Sequence, residues 1–184
     1  MAGRRCVFLD RDGVLNEAVV RQGRPYPPSS VDELRVFPGV PESCARLARA
    51  GFALVVVTNQ PDIARGTADP VVVDAIHARL RSLVALDAIY LCPHDDAANC
   101  GCRKPQAGLL ERAASDLGLD LRRSYMVGDR WRDVEAGQRA GCRTVFVDRG
   151  YDEKRPVGSD TVAASLSEAE GWIMADAARV PSAS

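Results

Sequence analysis

Short, wholly apolar runs alternate along this chain with longer segments whose apolar residues recur at helical spacing. The first run, Cys6-Val7-Phe8-Leu9, lacks polar alternation and ends in Asp10-Arg11-Asp12-Gly13-Val14. It predicts a strand buried on both faces, as in the centre of a parallel sheet. Similar runs follow at Ala53 to Asn59, Ala88 to Leu91, Ser124 to Asp129 and Thr144 to Asp148. Between them, Pro38 to Ala50 carries Val40, Cys44, Leu47 and Ala48 on one stripe, with Gly51 as a stop. A second helix begins at Asp69 or Pro70 and runs through Ile76, Leu80 and Leu83, with His77 as a surface or packing residue. Leu109 to Leu117, Asp133 to Ala140 and Leu166 to Ala177 complete the helices, the last with Trp172 and Ile173 on its apolar side.

Strands alternating with helices predict an α/β fold: a doubly wound, Rossmann-like, mostly parallel sheet of five or six strands, with helices on both faces. Glu17 to Phe37 breaks the pattern. With Gly23, Pro25, Pro27 and Pro28 it reads as an irregular loop over the strand ends, too small for a second domain. We expect a single domain over 1–178, with a substrate loop at 14–37, a metal-binding loop at 92–105 and a frayed tail at 179–184.

Composition narrows the function. The 184 residues are 46% hydrophobic, enough for one core, and the 24 basic and 25 acidic residues leave a net charge of -1. Nothing steers the chain toward nucleic acid or a membrane surface, so the expected partner is a small molecule. No run approaches the roughly 20 residues of a membrane span, and the expectation is a cytosolic protein, a monomer by default. Cys6, Cys44 and Cys142 lie in apolar contexts and read as core thiols.

The candidate chemistry sits at the strand ends. Asp10-Arg11-Asp12-Gly13 alone reads as a turn, but Thr58-Asn59 and Asp129 also end strands, with Asp133 one helical turn further on. If the first and fourth strands flank the switch point of the sheet, Asp10 and Asp129 face each other across the ligand crevice. Clustered carboxylates repel unless a cation lies between them, and hard oxygens favour Mg²⁺. For Asp129 and Asp133 the alternative role is as first-turn acids of a helix. Arg103-Lys104-Pro105 adds cations, and a metal, a hydroxyl and a lysine together suit a phosphoryl group. One carboxylate can then act as nucleophile and another as acid and base. Separately, Cys92-Pro93-His94 and Cys100-Gly101-Cys102 match a closed, four-ligand Zn²⁺ site. The cramped Cys100 to Cys102 spacing disfavours the disulfide alternative, and a metal there would fix the loop that presents Arg103 and Lys104.

These residues resemble the haloacid dehalogenase superfamily of phosphatases. The resemblance covers Asp10 to Asn16, Val57-Thr58-Asn59-Gln60, Arg103-Lys104-Pro105 and Val127 to Asp133, four ordered motifs across nearly the whole chain. Within the superfamily the chain resembles the small, capless, zinc-loop branch that acts on heptose bisphosphates or histidinol phosphate. Thr58 to Gly66, ending in Ile63-Ala64-Arg65-Gly66, is closer to the heptose group.

The resemblance implies a magnesium-dependent phosphatase working through an aspartyl-phosphate, with a heptose 1,7-bisphosphate as the expected substrate and histidinol phosphate as the alternative. Asp10 would be nucleophile and magnesium ligand. Asp12 would be the acid and base and give the metal its backbone carbonyl, and Asp129 would complete the site. Thr58 and Lys104 would steady the phosphoryl group, and Arg11, Asn59, Gln60, Arg103 and Arg130 would bind substrate. Cys92, His94, Cys100 and Cys102 would hold zinc, while Asp133, Arg21, Gly23, Arg24 and Tyr26 are further candidates. The chain departs from the family in a longer segment after Asn16 and in arginine at position 130, where lysine is expected. A phospho-receiver or a non-enzymatic binding module is a distant alternative. Receivers carry the accepting aspartate on a middle strand and the lysine late, and no acid needed for catalysis is missing here.

Overall fold

Successive residues of the first apolar run pack on opposite sides of a sheet: Val7 and Leu9 enter one core, Cys6 and Phe8 another. A strand covered on both faces needs an apolar residue at every position, which is why the run has no alternation. The computed structural model describes residues 3–179. In chain order the elements are β1 (Cys6–Leu9), β2 (Val19–Arg21), β3 (Arg24–Tyr26), α1 (Val40–Arg49), β4 (Ala53–Asn59), α2 (Pro70–Leu83), β5 (Ala88–Cys92), α3 (Gly108–Leu117), β6 (Tyr125–Gly128), α4 (Trp131–Ala140), β7 (Arg143–Val147), β8 (Thr161–Ala163) and α5 (Leu166–Arg179). Arg179 ends the last helix, and the rest of the expected tail lies outside the described residues.

Six strands form one sheet in the order β5-β4-β1-β6-β7-β8, every neighbouring pair parallel. Val40, Cys44 and Leu47 of α1, Ile76 and Leu80 of α2, and Leu166, Ala169 and Ile173 of α5 cover one face. Leu109, Leu110 and Ala113 of α3 and Ala136 of α4 cover the other. The chain winds outward from β1 in one direction and from β6 in the other, so the switch point lies between them, as expected. A ligand crevice belongs outside their carboxyl ends.

Two features differ from the expectation. The segment after Asn16 is not irregular throughout: β2 and β3 form an antiparallel hairpin, with Gln22 and Gly23 both at positive φ, 50° and 75°. Two central residues of that kind suit a tight hairpin turn. Three-residue strands with Pro25 inside one leave almost no periodic signal. The edge strand β8, three residues long and partly exposed, was absent from the strands read along the chain.

Candidate active site

β1 delivers Asp10 and β6 delivers Asp129 to the switch point, and the Asp10 backbone N–H donates to the carbonyl of Val127 at 2.9 Å. Lys104 reaches between them from the loop before α3. Its Nζ lies 2.6 Å from Asp10 Oδ1, 2.6 Å from Asp133 Oδ1 and 2.8 Å from the Val57 carbonyl. The other Asp133 oxygen accepts from the Arg130 N–H at 3.0 Å and caps α4. Asp133 therefore lies against the same cluster while closing its helix. Close packing demands glycine beside it, because a Cβ on Gly128 would stand 2.0 Å from Asp133 Cβ. Gly13, at φ +88°, is equally constrained: a Cβ there would lie 1.8 Å from Asp129 Oδ2.

Asp10, Asp129 and Asp133 each present an oxygen within 4.8 Å of the others, all buried. Burial, opposed by Lys104, raises the Asp10 pKa to about 7. Burial and then the Asp10 and Asp133 charges push Asp129 well above the usual carboxylate range. The carboxylates outweigh burial and hold Lys104 above its ordinary value. One lysine faces three acids, and both Asp129 oxygens are buried without a hydrogen-bond partner. Orphaned hard oxygens in an excess of negative charge fit a divalent cation such as Mg²⁺.

Asp12 occupies a different environment. Arg11 Nε and Nη2 donate to its two oxygens at 3.1 and 2.8 Å, Asn16 Nδ2 donates at 2.9 Å and Gln60 Nε2 at 3.0 Å. Burial works against ionisation, but Arg11, Asn16 and Gln60 together hold its pKa below the ordinary value. Gln60 Nε2 also donates to Thr58 Oγ1 at 3.0 Å. Two sequence expectations change here. Arg11 is fully buried and Gln60 is 2% exposed, and neither lines the crevice. They orient Asp12 instead of meeting a ligand. Both are polar residues just past a strand end, and only the tertiary contacts of Arg11 with His77 on α2 and of Gln60 with Thr58 and Asp12 bury them.

The thiols converge as the spacing requires. Cys102 Sγ lies 3.1 Å from Cys92 Sγ, 3.3 Å from Cys100 Sγ and 3.4 Å from His94 Nδ1. All six cysteines are free, so the disulfide alternative is not realised. Three soft sulfurs and an imidazole in one cluster fit Zn²⁺. The next residues then diverge. Arg103 Nε donates to Asp96 at 2.9 Å and its Nη1 to the His94 carbonyl at 3.1 Å, toward the rim. Lys104 turns inward, its backbone clamped by Asn59, which donates to the Lys104 carbonyl at 3.0 Å and accepts from its N–H at 3.1 Å.

The strand ends open into a crevice of about 510 Å³ lined by Asp10, Asp12, Thr58, Asn59, Lys104 and Asp129 below. Arg24, Tyr26, Arg65, Arg103, Arg130 and Lys154 contribute to its walls. Of the hairpin candidates, Arg24 and Tyr26 reach the crevice. Arg21 does not, stacking 5.6 Å over the Tyr26 ring, and neither does Gly23, whose carbonyl accepts from the Asp152 N–H at 3.1 Å. The segment after β7, which carries no motif in the sequence, also lines the crevice through Asp152, Glu153 and Lys154. There Arg149 Nε donates to the Gly13 carbonyl at 2.7 Å, Glu153 pairs with Arg130, and Lys154 Nζ stacks 4.4 Å over Trp131. That segment follows a strand end on the crevice side, a positional signal that could have marked it.

Asp10 just after β1, Asp129 just after β6, Asp133 on α4 and the clamped Lys104 meet at one switch point, the arrangement of a hydrolase site. The chain belongs to the haloacid dehalogenase-like hydrolases; the family model described as "HAD-hyrolase-like" matches residues 101–169. It is 39% identical over 155 residues to the D-glycero-beta-D-manno-heptose-1,7-bisphosphate 7-phosphatase of Pseudomonas aeruginosa, covering 80% of this chain and 83% of the relative. It is 37% identical over 193 residues to the D-glycero-D-manno-heptose-1,7-bisphosphate 7-phosphatase of Thermosynechococcus vestitus, covering 92% and 95%. Among solved structures, the D,D-heptose 1,7-bisphosphate phosphatase of B. bronchiseptica, complexed with magnesium and phosphate, superposes with a TM-score of 0.79 at 32% identity, over 94% of this chain and 99% of that one.

Proposed function

We propose that this chain is a magnesium-dependent phosphatase that removes the 7-phosphate of D-glycero-D-manno-heptose 1,7-bisphosphate, using a single domain in the cytosol. The observation that carries the reading is the convergence of Asp10, Lys104 and the unpartnered Asp129 at the mouth of β1 and β6. The relatives' shared activity supports the choice of substrate. Asp10, Asp129 and the Asp12 carbonyl would hold magnesium, which supplies charge neutralisation to the phosphoryl oxygens. Cys92, His94, Cys100 and Cys102 would hold zinc, which supplies a rigid anchor two residues from Lys104.

An Asp10 carboxylate oxygen attacks phosphorus as the ester bond to the sugar oxygen breaks, leaving an aspartyl-phosphate. Asp12 must first take up a proton against the hold of Arg11, Asn16 and Gln60; it gives that proton to the departing oxygen, then takes one from the water that attacks the same phosphorus. Phosphate leaves and Asp10 returns as a carboxylate. Thr58 and Lys104 steady the phosphoryl oxygens through hydroxyl and ammonium. The distal phosphate meets the arginine-rich wall, where Arg24, Arg65, Arg103 and Arg130 line the crevice.

Phosphate release with magnesium, from both anomers of the heptose bisphosphate and from histidinol phosphate, tests this. The expected result is a strong preference for the bisphosphate, with Asp10→Asn protein inactive. Preference for histidinol phosphate would overturn the substrate, and release by Asp10→Asn would overturn the nucleophile.

A further inference from the structure

A fully buried guanidinium must find partners for its donors, because an unpaired buried charge is costly. Arg11 meets this demand on two sides. Its Nε and Nη2 form a planar fork on the Asp12 carboxylate, and its Nη1 lies 3.0 Å from His77 Nε2 on α2. Arginine has no acceptor and stays protonated, so His77 Nε2 receives the bond and the ring proton sits on Nδ1. His77 itself is 8% exposed, between the core residues Ile76 and Leu80 of the same helix. The packed helix thereby fixes the ring, the ring fixes the guanidinium, and the fork fixes the plane of the carboxylate.

We propose that His77 is a positioning residue for Asp12, acting through Arg11; this rests on the phosphatase reading, in which Asp12 is the acid and base. Asn16 and Gln60 hold the Asp12 oxygens from other directions. Only the Arg11 fork binds both at once, and a bidentate pair sets orientation as well as distance. Without His77, Nη1 loses its partner and the guanidinium is free to rotate toward another acceptor. Asp12 then spends less time aimed at the leaving oxygen, and small misplacements of that kind are costly to proton transfer.

The leaving group separates positioning from a merely structural role. The ratio kcat/KM covers events up to cleavage of the substrate ester bond. A sugar alkoxide needs a proton at that step, and p-nitrophenolate does not. His77→Ala should lower kcat/KM about tenfold on the heptose bisphosphate and less than about twofold on p-nitrophenyl phosphate. His77→Gln, whose amide oxygen can accept from Nη1, should restore most of the loss. Equal losses on both substrates, or no loss on the bisphosphate in a cooperatively melting variant, would overturn the proposal. If His77→Ala does not fold, His77→Leu, which fills the space without accepting a hydrogen bond, takes its place under the same criteria. Wild-type turnover of both substrates, measured alongside, tests the phosphatase reading separately.

Discussion

Asp10, Asp129 and Asp133 are all buried and stand at the ends of paired strands or on the first turn of a capped helix. Cys92 is likewise buried on a strand, but His94, Cys100 and Cys102 are partly exposed on a loop whose only regular turn is a short 3-10 helix, Asp96–Ala98. The sheet imposes the carboxylate cluster whether or not a cation is present, and its geometry exists at the cost of crowded charge. The thiol cluster has little scaffold beyond its own ligands, so there an ion would organise the loop that presents Arg103 and Lys104. The carboxylate cluster is preorganised for chemistry; with an ion bound, the thiol cluster would act as a clip whose mechanical effect reaches the chemistry through Lys104 and Asn59.

The largest expected effect breaks the first cluster without unfolding it. Asp129→Asn should cut turnover by about 10³-fold or more, since the magnesium that would neutralise the phosphoryl oxygens loses an anionic ligand. No donor meets hydrogen-bond geometry at the carboxylate, although the Tyr151 hydroxyl beside it favours its charge, and two like charges face it, so the melting temperature should change little. Turnover with a magnesium titration, together with a thermal melt, checks both halves.

A smaller effect is expected at the clip. Cys102→Ser should abolish zinc binding, read by metal analysis of the purified protein, and lower turnover by about 10- to 100-fold. Far-UV circular dichroism should barely change, while limited proteolysis should begin within 92–105. A variant that keeps one zinc per chain would contradict the four-ligand assignment.

The smallest effect concerns pH. Burial first, then the Arg11 guanidinium, lower the His77 pKa from 6.5 to about 4, so the folded protein favours the neutral ring. That preference contributes stability above the unfolded pKa, and the contribution is lost as pH falls toward the folded value. Between pH 6.5 and 4 the expected loss is on the order of 2 kcal/mol, and His77→Gln should show a shallower fall in melting temperature over the same range.

Much of this arrangement was legible before any coordinates. Residues of β1 face two cores, so its apolar run could be read as a central strand, and the acids that end it could be placed at the crevice. The thiols were legible because only metal chemistry or a disulfide rewards three cysteines and a histidine within eleven positions of one loop. The hairpin was not legible, since a proline inside a three-residue strand leaves no period to detect. Nor was Asn59 legible as the clamp on the Lys104 backbone, because that contact joins residues 45 positions apart.

What the sequence determined by itself is what periodicity and residue chemistry carry: the alternation of strands and helices, the acids at strand ends and the thiols and imidazole gathered in one loop. Tertiary structure decided which polar groups are used up by one another. Arg11 and Gln60 hold Asp12 rather than a ligand, and His77 closes on Arg11 across 66 positions of chain. The physical reason is that a buried charge takes whichever partner the packing brings within hydrogen-bond reach, and that neighbour is set by the fold and not by distance along the sequence.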